Sequence, residues 1–168
     1  MSERAAPPGR LTLVHDLVNT VDLATGADAL DTPEGRAPFG IAEDTVDDAR
    51  ELRESLRATL LAHAGHPAHR PVVPLGELLA RAPLVVTVDP ADGSAALAPV
   101  DEGPLLSRVA AAVAEAVTAG TWQRLKACES PACHWAYYDR SPAGRGRWCS
   151  MQVCGARAKM RRYRAKQG

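Results

Sequence analysis

Aromatic residues make up only 4% of this 168-residue sequence, with a single phenylalanine, so any core must be built mainly from alanine, valine and leucine. No apolar run approaches the roughly 20 residues needed to span a bilayer, so no membrane role is expected. The opening MSERAAPPGR lacks the apolar segment of a secretory signal, which points to a cytoplasmic location. There is no nucleophile elbow, phosphate-binding glycine loop or dinucleotide fingerprint. No paired carboxylates or activated nucleophile stand out either, so an enzyme is not expected.

Charge is scarce in only one sense at each end. The chain balances 20 Lys+Arg against 20 Asp+Glu. Residues 1–119 contain no lysine, 9 arginines and 18 acidic groups, whereas residues 120–168 hold 11 Lys+Arg against only Glu129 and Asp139. All four cysteines, all three tryptophans and all three tyrosines also fall in that last stretch. Such a split implies two modules. The expected division is a disordered leader over 1–10, an acidic domain over 11–120 and a basic module over 121–168.

In the acidic part, the apolar spacing of 11–21 predicts a short strand running into a helix, and the Gly/Pro content of 25–40 a loop. Val46, Ala49, Leu52, Leu56 and Leu60 repeat at helical spacing after Asp44 or Thr45, with Arg50, Arg53 and Arg57 on the opposite face beside Glu51 and Glu54. A short helix is expected near 75–81. Residues 84–89 and 95–100 read as an antiparallel hairpin about the turn 90–93, and 105–119 as a helix stopped by Gly120. The fold class is therefore α+β, a helical domain with a small hairpin sheet, followed by a small cysteine module ending in a basic helix. His63, His66 and His69 read as exposed loop histidines rather than metal ligands. His15, Asp16 and Asn19 are candidates to line a pocket for a small ligand, or to cap turns.

Cys128 and Cys133, then Cys149 and Cys154, form two C-x4-C pairs separated by 15 residues. Two equal thiol pairs fit one tetrahedral, structural zinc with no open coordination position. Two disulfides, an iron–sulfur cluster or unrelated buried thiols are the competing readings, the first disfavoured by the expected reducing compartment, the second by the spacing and the third by the regular pairing within one basic module. Arg145, Arg147 and Arg157 are candidates to donate to the thiolates. Between the pairs, two short strands are expected around a turn at 141–146, with Trp135, Tyr137 and Trp148 as mini-core, Tyr138 as a stacking platform and His134 as a bystander. After Cys154 a helix is expected, with Ala156, Met160 and Tyr163 docked on the knuckles. Arg157, Lys159, Arg161, Arg162 and Arg164 would then face phosphate, with Arg145 and Arg147 as lesser candidates on the hairpin. The opposite charges of the two parts also suggest that the acidic domain docks on this helix and masks it.

Cys128, Pro131, Cys133, Trp135-Ala-Tyr-Tyr-Asp139, Arg147-Trp-Cys-Ser-Met151, Cys154-Gly-Ala-Arg157 and Lys159 together resemble the CGNR-type zinc-finger proteins, bacterial regulators in which an α/β domain called ABATE precedes the finger. Asp16-Leu-Val-Asn-Thr20 resembles the opening motif of that domain. One position departs: Ala156 stands where the family signature has asparagine. The resemblance implies a zinc-dependent transcription regulator. The sequence thus points to a DNA-binding regulator with one structural zinc, whose N-terminal domain senses, docks or forms a homodimer. An RNA-binding module and a protein-interaction adaptor are the alternatives.

Overall fold

The computed structural model describes residues 6–167. Six helices and two separate two-stranded antiparallel sheets follow in the order α1 (Leu11–Val18), α2 (Pro33–Arg36), α3 (Val46–His63), α4 (Leu75–Leu79), β1 (Leu84–Val88), β2 (Ala95–Pro99), α5 (Leu105–Thr118), β3 (Leu125–Ala127), β4 (Ala136–Tyr138) and α6 (Ala156–Arg164). The α+β class follows directly. The segment expected to begin as a strand is helical from Leu11, because Leu11, Val14, Leu17 and Val18 gain more by burying one helical stripe than their β-propensity offers. The expected loop at 25–40 is wound into short turns at 29–31, 33–36 and 37–39. Thr32 caps α2 by accepting from the Gly35 amide.

Of the expected leader, residues 1–5 lie outside the described residues. Residues 6–10 are tied down: Pro7 O accepts from Thr12 Oγ1 at 3.2 Å, Ala6 O from Arg140 Nη2 at 2.8 Å, and Arg10 lies 3.5 Å from Glu115.

The core is a three-helix stack. α3, with Asp47 and Asp48 in its first turn complementing the helix dipole, presents Leu52, Leu56 and Leu60 to α1 and to alanine-rich α5. Val109, Ala112 and Ala116 of α5 are small enough to let the helices approach closely, which is how a core with one phenylalanine closes. α5 ends where Gly120 takes a left-handed φ of +66° and the Thr121 amide reaches back to Ala116 O at 2.8 Å.

The small sheet of the C-terminal part is not a separate body. Leu125, Ala127 and Ala136 are buried within the same cluster as the helices, so β3 and β4 complete the helical core. This hairpin spans residues 125–138, around the first cysteine pair; of the two strands expected about the 141–146 turn, the first is β4 but it pairs with β3, and the second is not formed. That turn is instead fixed by Asp139, which accepts from the amides of Ser141 at 3.0 Å and Gly146 at 2.7 Å and pairs with buried Lys126 at 2.9 Å. A side chain at Gly146 would meet Asp139 Oδ1 at 2.9 Å, so only glycine fits there.

Candidate metal centre and basic helix

The first cysteine pair sits in a tight turn after β3, where the amides of Cys133 and His134 both return to Ser130 O. His134 has φ +46°, the sole non-glycine residue with positive φ among the described residues. Its conformation is held from both sides: its Nδ1 donates to Cys128 O at 2.9 Å and its carbonyl accepts from Arg57 Nη1 at 2.8 Å. His134 thus stays outside the ligand set, as expected, but it pins the cysteine turn to α3. The second pair opens a π-turn at Met151–Gly155, entered through Ser150, whose hydroxyl accepts from the Val153 amide, and leading straight into α6. Gly155 is packed so closely that a side chain there would meet Met151 Sδ at 3.1 Å and Trp148 Cδ1 at 3.3 Å.

These turns bring the four sulfurs of Cys128, Cys133, Cys149 and Cys154 within 4.8 Å of one another. Zn–S bonds of roughly 2.3 Å put the corners of a tetrahedron about 3.8 Å apart. The Cys133–Cys149 and Cys149–Cys154 separations of 3.6 and 3.7 Å match that edge and are far from the roughly 2.0 Å of a disulfide. Without a cation the cluster is electrostatically frustrated. The thiols of Cys133 and Cys149 donate to Cys128 and hold it well below the ordinary thiol value, while those same hydrogen bonds, with burial and the Cys128 charge behind them, push Cys133 and Cys149 above it. A dication relieves this conflict by stabilising all four thiolates together. The donor set fits one structural zinc, and four thiolates leave no position for a water.

None of the three arginines proposed to donate to the sulfurs is hydrogen-bonded to one among the described residues. Arg147 binds Glu129 through Nε and Nη2, both at 2.5 Å, and its guanidinium lies 5.5 Å from the Trp148 ring. With the Glu129 amide on Arg147 O at 3.0 Å, this pair straps the two cysteine turns together. Arg145 and Arg157 are exposed.

The hairpin that carries the first cysteine pair has its outer edges closed by side chains of the helical part. Bonds from the Asp139 amide to Arg124 O and from the Cys128 amide to Trp135 O fix the β3–β4 ladder so that the backbone of Leu125 and Ala136 turns away from it. Asn19 answers both groups of Ala136: Oδ1 accepts from its amide at 2.8 Å and Nδ2 donates to its carbonyl at 3.1 Å. Its carboxamide takes the place of a neighbouring strand's peptide. His63 Nδ1 donates to Leu125 O at 2.8 Å. His15 bonds Asn19 at 3.2 Å and Asp16 at 2.7 Å. The His15, Asp16 and Asn19 group therefore ends on the hairpin backbone, and both Nδ2 hydrogens of its asparagine are engaged, by His15 and by Ala136 O.

Sequence reasoning missed a second device. Arg53, Glu54 and Arg57, expected on a solvated face, are 5%, 4% and 0% exposed. Arg57 donates to Glu54 at 3.1 Å, to Val18 O at 2.7 Å and to His134 O at 2.8 Å, joining α1, α3 and the cysteine turn. Arg53 pairs with Asp28 and Glu54, both at 2.8 Å, and His69 donates to Glu54 at 3.0 Å. The neighbouring guanidinium groups hold Glu54 below the ordinary carboxylate value even though burial alone would raise it. Burial lowers His63 and His69 below the ordinary histidine value. Both are half-buried partners, which corrects the expectation of exposed loop histidines.

α6 stands apart from this core. Arg157, Lys159, Arg161, Arg162, Arg164 and Lys166 are all exposed. Among the described residues none is in an ion pair, so the expected masking by the acidic part is not realised. The expected docking of the apolar stripe fails too: Met160 and Tyr163 are 52% and 58% exposed, beside Met151 and Val153 at 68% and 47%. Of the aromatics, Tyr137 is buried as expected, but Trp135 is exposed and Tyr138 packs on the core beneath Arg140, 5.2 Å from its ring.

Residues 11–120 match the family model of ABATE, described as putative stress-induced transcription regulator. The chain belongs to this ABATE family. Residues 124–167 match the CGNR zinc finger, which covers all four cysteines, the hairpin and α6. No match was found among curated proteins. This ABATE protein is thus a zinc-binding member of a regulator family, with the two matches in the order that the residues suggested. No helix among the described residues is long and apolar enough to cross a membrane.

Proposed function

We propose that this ABATE protein is a DNA-binding regulator of the cytoplasm that acts by binding rather than by catalysis. The observation that carries this reading is α6, a row of exposed and unpaired cations projecting from the four-cysteine cluster. Nine residues span about 14 Å of helix, comparable to the width of a major groove. Arg157, Lys159, Arg161, Arg162 and Arg164 supply the phosphate contacts, and Arg145 adds a cation from the 139–146 turn. Arg147 contributes less, because its guanidinium is already engaged by Glu129. Zinc plays no chemical part beyond fixing where α6 starts.

Exposed Met151, Val153, Met160 and Tyr163 favour a second reading, a protein-interaction adaptor with an apolar and basic docking strip. A third, RNA binding, rests on exposed Trp135 as a stacking platform. Fluorescence anisotropy of the zinc-loaded chain with duplex DNA, single-stranded DNA and RNA of one sequence separates them. The DNA reading predicts tightest binding to the duplex. Preference for single strands that is lost in Trp135→Ala supports RNA binding, and no binding at low salt supports the adaptor.

A further inference from the structure

β1 presents an open edge that is suited to a second copy of itself. Flanking bonds from the Val100 amide to Pro83 O and from the Asp89 amide to Ser94 O fix the β1–β2 ladder so that residues 83, 85, 87 and 89 face β2. The backbone groups of Leu84, Val86 and Val88 therefore point outward, and no third strand meets them among the described residues. The devices that normally protect such an edge are missing: neither strand contains a charge, and β1 has no proline and no bulge. Val85, Val86 and Val88 are 46%, 68% and 60% exposed, as are Leu97 at 47% and Val100 at 64%.

We propose that two copies of this chain pair through antiparallel β1 strands, with the two-fold axis at Val86, to form a continuous four-stranded sheet. The outward groups lie at 84, 86 and 88, symmetric about Val86. In that register Val86 pairs with its own counterpart and Leu84 with Val88, so that every outward amide and carbonyl of β1 finds a partner. The charges flanking the strand are complementary to themselves in the same arrangement. Arg81 precedes β1, Asp89 and Asp92 follow it, and antiparallel pairing sets the arginine of one copy beside the aspartates of the other. Among the described residues none of these three is in an ion pair. Val86 and Leu97 of both copies then form an apolar row on one face of the sheet. The contact is a single pair of five-residue strands, so the dimer is reversible and depends on concentration. This pairing does not rest on the DNA reading, but it would carry two copies of α6 and so raise avidity for a duplex with two half-sites.

Sedimentation velocity of the full zinc-loaded chain from about 5 μM to about 1 mM, a range chosen for a weak interface, tests the proposal. The expected result is a shift from the 17.8 kDa chain mass to twice that value. Val86→Lys and Val86→Glu each place like charges on the axis. Each should stay monomeric across the range with unchanged thermal midpoint, and their equimolar mixture should recover the dimer. Wild-type chain that stays monomeric throughout overturns the proposal. So does a Val86→Lys variant that dimerises as the wild type does, or an equimolar mixture that stays monomeric.

Discussion

Replacing Asn19 by alanine removes the two hydrogen bonds that close the outer edge of β4, at 2.8 and 3.1 Å. Ala136 is 3% exposed, so neither its amide nor its carbonyl can turn to water instead. Each unsatisfied buried group costs about 1–3 kcal/mol, which puts the pair near 3 kcal/mol. Ala136 lies two residues beyond His134 and three beyond Cys133, so the loss falls on the hairpin that aligns the first cysteine pair. If zinc binding requires that hairpin, 3 kcal/mol converts to about 100-fold weaker zinc affinity. Competition of Asn19→Ala against a chromophoric chelator in reducing buffer reads this directly. Asn19→Asp should be no better, because it keeps the acceptor for the Ala136 amide but sets a second carboxylate oxygen against the Ala136 carbonyl. Zinc affinity within about twofold of wild type, alongside a lowered urea midpoint, would refute the reasoning and make the finger an independent module.

Three further outcomes follow from the same geometry. Arg57→Lys keeps the charge but loses the planar fork that reaches Val18 O and His134 O, costing about 3 kcal/mol; thermal unfolding should fall by roughly 6–12 °C, and an unchanged midpoint would contradict the buried network. His63 and His69 sit below their ordinary value because burial favours the neutral ring, so the unfolded chain binds more protons as pH drops below 6.5. With zinc in excess the urea midpoint should be flat above about pH 7 and decline from about pH 6.5 to 5; His63→Asn, which keeps a donor for Leu125 O, should flatten part of that slope. Chelating the metal should unwind α6, since nine residues are too few to stay helical alone; far-UV circular dichroism should lose helical signal near 222 nm and recover it on adding zinc.

The residues that carry strong local signals were legible in the sequence. The paired cysteines announced a tetrathiolate, and the 3–4 spacing of α3 and α5 and the two short apolar runs about the 90–93 turn gave α3, α5, β1 and β2 within a residue or two. What stayed hidden was long-range. Arg53, Glu54 and Arg57 lie at helical spacing that a solvated ion-pair face would also show, and their burial depends on Asp28, Val18 and His134 arriving from elsewhere. β3 and β4 have three residues each, too short for any periodicity, and they pair across the cysteine turn rather than across the glycine-rich one. Asn19 reads as a pocket residue and His63 as an exposed loop histidine, and only the fold reveals that they face two backbone edges. The stripe of α6 reads as a docking face, yet no partner surface lies opposite it.

The central claim, that zinc-ordered α6 is a nucleic-acid surface, is tested most directly by the salt dependence of duplex binding. Wild-type chain and the triple variant Arg157→Glu, Arg161→Glu, Arg164→Glu would be compared at equal, verified zinc content. Contacts to four to six phosphates give a log–log slope of roughly −4 to −5 for the wild type. The account predicts that slope for the wild type and its disappearance in the variant. A wild-type line that is flat at low salt, or a variant that keeps the full slope, would contradict it.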